Sequence, residues 1–380
     1  MSKGTVVAAM SGGVDSAVAA ALLKRQGYDV IGITLQIWQE HSDQGKYGGC
    51  CSLGAVEDAR RAAASIGIPH YVLNFRDYFA SKVIDHFVQE YSRGRTPNPC
   101  IECNRSVKFE ELLRQAENLG ADYLATGHYA RVRRNEETGR YELLRARDAQ
   151  KDQSYALYTL SQHSLSHTLM PLGKLANKQE TRNIAKTIGL ALASKPDSQE
   201  ICFVPREGYT SYLREHAPDS QHPGLVMDRS GNEIGEHEGI SNYTIGQRKR
   251  LPASNKGALF VVELLPETNT VVVGSDEDLY SDGFEAVRCS WASLSEAPSL
   301  ESPLAAYAKI RYNGQIAPVS FAAAKEAGVV QGIFETSQRA VTPGQAAVFY
   351  GGTGEEEAQI VLGGGTIEKA IFKNRCNRII

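Results

Sequence analysis

The sequence predicts an α/β fold. An N-terminal doubly wound parallel sheet leads into a small β-rich central domain and a C-terminal β-barrel-like domain. Three observations predict it. Apolar strand-like runs alternate with helical segments over the first 130 or so residues. A glycine-rich turn stands between the first strand and the first helix. After about Pro205 the texture changes to short alternating runs between turns.

Thr5–Met10 (TVVAAM) is a short apolar run, read as a buried strand. The turn Ser11–Ser16 follows, then an alanine- and leucine-rich helix that Gly27 closes. Val30–Trp38 is a second buried strand, and Gln39–Cys51 a polar, glycine-rich loop. Leu53–Ile66 is helical and ends at Gly67; His70–Phe75 is a third strand. Phe79–Tyr91 is a helix with Phe79, Val83 and Phe87 on its apolar face. Ser92–Cys100 reads as an extended linker stiffened by Pro97 and Pro99. Val107–Leu119 is helical, and Asp122–Thr126 is a fourth strand ending in Gly127-His128. Ligands of such sheets sit beyond the carboxyl ends of the strands. The Ser11 turn, Leu35 and Gly127-His128 should therefore converge. Arg131–Arg147 reads as a hairpin turning at Asn135–Gly139, with helical segments from Ser154 to about Leu190. Later strands include Gly224–Met227, Leu259–Leu264, Thr270–Val273, Ala305–Tyr312 and Ala346–Tyr350. The expected domains are 1–207, 208–281 and 282–380.

Composition sets bounds. The 380 residues suffice for two or three domains. A net charge of −3 means that any nucleic-acid surface is a local patch and not a global field. No apolar run reaches membrane-spanning length. Met1-Ser2-Lys3-Gly4 runs straight into the first strand, so no signal peptide is expected. Seven cysteines, an odd count, fit a cytoplasmic enzyme with mostly reduced and some reactive thiols. Glu355-Glu356-Glu357 reads as a solvated turn.

Strand, glycine-rich turn and helix N-terminus together hold phosphate: the backbone approaches closely, and amides and helix dipole face the anion. This turn has no Walker lysine and lacks the third glycine of the dinucleotide fingerprint. Thr96–Asn104 (TPNPCIECN) presents Cys100 and Cys103, a spacing open to half a zinc site, a redox pair or a nucleophile. Zinc would need a second close ligand pair. Cys50-Cys51 are adjacent and ligate one ion poorly, so no metal ligands are assigned. They are read as loop packing near the site. Cys202 precedes an aromatic and, taken alone, is a small buried hydrophobe. Cys289 and Cys376 are read the same way.

SGGVDS at Ser11–Ser16 resembles the signature of the PP-loop ATP pyrophosphatases, with their adenine nucleotide alpha hydrolase-like fold. That resemblance implies cleavage of ATP between the α and β phosphates and adenylation of a substrate oxygen. GCCS, TPNPCIECNRSVKF, ATGHYAR, KDQSYALYTL, DSQEICFVP, YTIGQRK and TPGQ are spread over nearly the whole chain. As a set they resemble the bacterial tRNA-specific 2-thiouridylase family, the MnmA/TrmU group. The resemblance implies 2-thiolation of the wobble uridine, in the anticodon loop of tRNAs for lysine, glutamate and glutamine. It further implies ATP and Mg²⁺, sulfur from a cysteine desulfurase or relay protein as a persulfide, and a cytoplasmic monomer. By position, the nucleophile falls on Cys103 and the persulfide carrier on Cys202. ATP contacts fall on Ala9, Met10, Ser11, Gly12, Gly13, Val14, Asp15, Ser16, Leu35 and Gly127. The target base falls on Asn98, Pro99 and Cys100. Other tRNA contacts fall on His128, Lys151, Asp152, Gln153, Arg311, Tyr312 and Gln345. Some members carry Asp where Cys100 stands, and Leu35 replaces a Met seen in some.

The implied chemistry suits the residues. Oxide is a poor leaving group, and adenylation of the C2 oxygen turns it into AMP. Arg105 and Lys108 lie near Cys103 and either lower its pKa or meet solvent and phosphate. Arg248-Lys249-Arg250 and Lys309/Arg311 are basic clusters suited to tRNA backbone. Alternatives are a PP-loop ligase, which needs no Cys103/Cys202 pair, a non-catalytic nucleotide-binding module, and an Fe–S enzyme ligating a cluster through Cys100, Cys103 and Cys202.

Overall fold

The computed structural model describes residues 2–37, 53–195, 201–205, 207–253, 257–352 and 358–372. Trp38, the Gln39–Cys51 loop with Cys50-Cys51, Asp197–Glu200, Glu355–Glu357 and Cys376 lie outside the described residues. The elements in the first half of the chain are β1 (Thr5–Ala9), α1 (Val14–Arg25), β2 (Asp29–Gln36), α2 (Leu53–Ile66), β3 (His70–Asn74), α3 (Arg76–Phe79), α4 (Asp85–Ser92), α5 (Pro99–Glu102), α6 (Leu113–Asn118), β4 (Tyr123–Ala125), β5 (Ala130–Arg134), β6 (Tyr141–Arg145), α7 (Gln162–Ser166), β7 (Thr168–Leu169) and α8 (Lys178–Thr187). They continue as α9 (Tyr209–His216), β8 (Gly224–Asp228), β9 (Glu233–His237), β10 (Phe260–Leu265), β11 (Thr270–Gly274), β12 (Tyr280–Ser290), β13 (Leu304–Lys309), β14 (Ala317–Ala323), β15 (Val330–Arg339), β16 (Ala346–Gly351) and β17 (Ile360–Ile371).

The chain divides into two compact units. The first holds residues 1–84, 99–206 and 352–362. Its sheet runs β3-β2-β1-β4-β7, and every pair is parallel, as the strand–helix alternation requires. Ala17, Ala20, Ala59, Ala63 and Ala185 of α1, α2 and α8 share one buried cluster with Val6 and Ala8 of β1. Small side chains let these helices sit close to the sheet. The hairpin is present as β5 and β6 in antiparallel register, turning through Asn135 and Gly139. Ile360 and Val361 extend it by pairing with Leu144 and Leu143.

Two expectations differ from the structure. The segment after Asn98 is helical at once: α5 begins at Pro99 and runs through π-type turns, Cys103–Leu112, into α6. Proline is tolerated in a first helical turn, where its missing N–H would have no partner. Cys100 and Cys103 therefore lie three residues apart on one helical face, not at the end of an extended strand. The two-residue strand β7 has no counterpart in the sequence reading, because so short a run carries no periodicity.

The second unit holds residues 85–98, 207–351 and 363–380. One sheet runs β10-β11-β8-β9 over a core of Val226, Val261, Val271 and Val273. Strands β12, β15, β14, β13, β16 and β17 follow one another in a second sheet, and β17 also pairs with β12. The six strands therefore close into a barrel. Phe321 and Phe349 stack in its core with ring centroids 3.9 Å apart. Helices α4 and α9 meet through stacked Tyr91 and Tyr209, 4.8 Å apart. Among the described residues no helix is long and apolar enough to cross a membrane.

Candidate active site

The loop after β1 is held from several sides. Gly12 has φ +68°, and a Cβ there would lie 2.2 Å from the carbonyl oxygen of Ala55 at the start of α2. Only glycine fits. Ser16 Oγ accepts from Ser11 N at 3.1 Å and donates to the Gly13 carbonyl at 3.1 Å, closing the turn on itself. Gly13, the N-cap of α1, brings no side chain to cap the first helical turn. That suits a bound anion in this place. Thr34 Oγ1 donates to the Met10 carbonyl at 2.8 Å and fixes the end of β1. Gly127 sits against the same turn: a Cβ there would lie 2.6 Å from Ser16 N. The expected convergence of the Ser11 turn and Gly127 is therefore present. Leu35 lies near the end of β2, opposite Leu73.

Asp15 stands in this turn with its carboxylate engaged. Lys178 Nζ, from the first residue of α8, reaches both oxygens at 2.6 and 2.7 Å. Tyr129 donates to Oδ1 at 2.8 Å and is itself braced by Thr181 at 2.8 Å. Lys195 Nζ donates to the Gly12 carbonyl at 2.9 Å and pairs with Asp58 at 2.6 Å. Burial works against the Asp58 carboxylate, but hydrogen bonds from Lys195 and Arg61 hold its pKa below the ordinary carboxylate value. Two lysines thus stand beside the glycine-rich loop, each paired with a carboxylate. Sequence reasoning missed both, since each lies more than 160 residues from the loop it touches. A lone lysine in a helical stretch carries no local signal.

Cys100 is exposed, and Cys103 and Cys202 are half-buried, all in the first unit. The helix bearing Cys103 is anchored by its neighbour: buried Asn104 donates to the Ala156 carbonyl at 2.9 Å and accepts from Lys108 Nζ at 2.9 Å. Arg105 closes a two-pronged pair with Glu102, with contacts of 2.8 and 2.9 Å from one guanidinium nitrogen. These contacts give Arg105 and Lys108 structural partners. Phe203, 1% exposed, packs edge-on against Phe79 at 5.8 Å and anchors the backbone next to Cys202. Burial pushes the Cys289 thiol up to about 12, in line with an inert role.

The Lys151–Gln153 segment underlies the Cys103 helix. Asp152 is 7% exposed; its carboxylate accepts from Ala146 N at 3.0 Å, Ser154 N at 3.2 Å and Ser154 Oγ at 2.9 Å, and pairs with Arg145 at 3.2 Å. It shapes the Ser154–Leu157 turn whose Ala156 carbonyl holds Asn104. Gln153 clamps Tyr129, accepting from its N–H at 2.9 Å. Lys151 is half-buried beside them. His128 accepts from or donates to Thr126 Oγ1 at 2.8 Å. Burial, aided by the Lys108 ammonium, pushes its pKa well below the usual imidazole value, so the ring is neutral at pH 7.

Asn98, Arg311, Tyr312 and Gln345 belong to the second unit. There, three stretches meet at Thr96, two residues before Asn98. Thr96 N donates to the Pro343 carbonyl at 2.9 Å, its carbonyl accepts from Gln345 Nε2 at 2.8 Å, and its hydroxyl meets that of Thr244 at 3.1 Å. TPNP, YTIG and TPGQ thus form one junction. Exposed Arg311 donates to the Arg339 carbonyl at 3.1 Å, and Lys309 Nζ lies 5.8 Å from the Tyr312 ring centroid.

Three family models match in succession: a tRNA methyl transferase HUP domain over residues 4–206, a tRNA methyl transferase PRC-barrel domain over 210–275, and an aminomethyltransferase beta-barrel domain over 281–367. The tRNA-specific 2-thiouridylase MnmA of Clostridium perfringens is 50% identical over 98% of this chain and 100% of its own. That of Heliobacterium modesticaldum is 51% identical over 96% of this chain and 92% of its own. That of Clostridioides difficile is 48% identical over 96% and 98%. A solved 4-thiouridine synthetase–RNA complex with bound ATP aligns over 57% of this chain and 51% of its own, at 20% identity and a TM-score of 0.36, too slight a likeness to argue from. With half its residues shared over nearly its whole length, and all three domain models matched in order, this chain belongs to the tRNA-specific 2-thiouridylase MnmA family.

Proposed function

We propose that this protein is an ATP-dependent tRNA 2-thiouridylase acting on the wobble uridine of tRNAs for lysine, glutamate and glutamine. The observation that carries the reading is a phosphate-shaped loop in the same compact unit as Cys103 and Cys202. The loop from Ala9 to Ser16, with Leu35 and Gly127, holds ATP. Mg²⁺ neutralises phosphate charge when bound; Asp15 is the loop carboxylate that would hold it, now partnered by Lys178. The uridine C2 oxygen attacks the α-phosphorus and pyrophosphate leaves. Sulfur reaches Cys202 as a persulfide from a relay protein or cysteine desulfurase. The Cys103 thiolate attacks the Cys202 sulfur, forming a Cys103–Cys202 disulfide and releasing hydrosulfide. Hydrosulfide adds to C2, AMP departs, and an external thiol reduces the disulfide.

In this reading Asn98, Pro99 and Cys100 meet the extruded base. Neutral His128 contacts tRNA without adding charge. Lys151, Arg311, Tyr312 and Gln345 contact tRNA directly, while Asp152 and Gln153 act through the backbone they hold. The chain works as a monomer in the cytoplasm, divided at 1–207, 208–281 and 282–380. The test is peptide mapping after one turnover with persulfide donor, ATP and tRNA but no reductant. A Cys103–Cys202 disulfide is expected; a Cys100–Cys103 disulfide overturns the division of roles.

A further inference from the structure

We propose a second, transition-metal site at the other end of the first unit's sheet, formed by Glu117, His163 and His167. One potential ligand atom from each lies within 4.8 Å of the other two. Glu117 comes from the last turn of α6; His163 lies in α7, and His167 directly follows it. The His-x-x-x-His spacing puts both imidazoles on one side of this turn, with ring centroids 4.6 Å apart. His163 Nε2 already meets Glu117 Oε1 at 2.8 Å, so imidazole and carboxylate converge on one point. His167 Nδ1 faces the His163 carbonyl at 3.0 Å. Ser166 Oγ also lies 2.9 Å from Nδ1; the tautomer that donates from Nδ1 to the carbonyl leaves the Nε2 lone pair for a metal ion. Such a backbone contact orients a ligating histidine and sets its tautomer.

Glu117 and His167 line an open pocket of about 450 Å³ that Asp122 also lines. Asp122 accepts from Thr5 N at 2.8 Å, at the start of β1. The pocket therefore lies at the amino ends of the strands, whereas the Ser11 loop and Gly127 lie at the carboxyl ends. Two imidazoles and one carboxylate suit Zn²⁺, Co²⁺ or Ni²⁺, with solvent completing the shell; Mg²⁺ and Ca²⁺ prefer all-oxygen sites. An ion here would tie α6 to α7 and to edge strand β7. This departs from the sequence reading, which assigned no metal ligands.

The test is calorimetric titration of the full chain with Ni²⁺ alone, in parallel with Mg²⁺ alone, and thermal melts with and without each ion. Wild type and Cys103→Ser/Cys202→Ser should share one saturable Ni²⁺ site that raises the melting temperature. His163→Ala, His167→Ala and Glu117→Gln should weaken it by at least about tenfold, and Mg²⁺ should not occupy it. Unchanged melts without metal show that the variants fold; His163 is exposed, and Glu117→Gln keeps the shape. Wild-type Ni²⁺ stoichiometry and affinity in His163→Ala and Glu117→Gln, or no saturable binding to wild type, would overturn the site.

Discussion

Replacing Gly127 by alanine isolates one contact on which the proposed ATP loop depends. The backbone of Gly127 does not need a left-handed conformation, so alanine brings no backbone strain of its own. The added Cβ would lie 2.6 Å from Ser16 N, 2.7 Å from the Asp15 carbonyl carbon and 3.0 Å from Ser16 Cα. The first distance is about 0.8 Å short of the 3.4 Å at which ordinary contact begins. All three atoms are in the backbone of α1's first turn, so no flexible side-chain end can move aside. Either that turn or the end of β4 must shift. Overpacking of this kind costs about 1–3 kcal/mol in stability, which a domain of this size survives. The catalytic effect is larger, because a misplacement near 1 Å costs on the order of 10²-fold in rate. Gly127→Ala should therefore remain folded by circular dichroism, bind ATP more weakly and release pyrophosphate on the order of 10²-fold more slowly with tRNA. Gly139→Ala is the control: its φ is +68°, with nothing within 4 Å of the new Cβ. It should lose about 1 kcal/mol of stability and keep ATP use. A folded Gly127→Ala protein with wild-type ATP affinity and pyrophosphate release would refute the assignment of this loop.

Lys178→Met leaves Asp15 without its cation and should cost about 1.5–3 kcal/mol in urea denaturation, together with pyrophosphate release; wild-type release would remove Lys178 from the site. Asp152→Ala breaks a buried, fully hydrogen-bonded pair and should cost about 3–5 kcal/mol, leaving the salt dependence of tRNA affinity unchanged, whereas Lys151→Ala should flatten that dependence at little cost in stability. Arg311→Ala should lower the slope of log affinity against log salt by about 0.9 for each phosphate it no longer neutralises; an unchanged slope places the phosphate contact elsewhere.

The first unit's sheet is legible in the sequence because its signals are local. Apolar runs mark β1 and β2, Gly27 and Gly67 end α1 and α2, and Ser11–Ser16 is a turn of unusual composition. The start of α5 is misread because prolines at 97 and 99 signal both extended chain and a helix's first residue. What cannot be read is tertiary. Lys178 and Lys195 reach the loop from the far side of the unit's sequence, and Asp152 looks like a surface charge until four contacts bury it. TPNP, YTIG and TPGQ are visible as stretches, but their meeting at Thr96 depends on how the second unit folds.

ATP-driven exchange of the wobble uridine's C2 oxygen for sulfur leaves a product that can be weighed. Mass spectrometry of ribonuclease fragments and of their nucleosides, from unmodified lysine tRNA incubated with the protein, ATP, Mg²⁺ and a persulfide donor, reads both its identity and its position. We expect 2-thiouridine at the wobble position, dependent on ATP and absent with Cys103→Ser. Wobble uridine left unmodified by active, folded protein, or sulfur found at another base, would contradict the assignment.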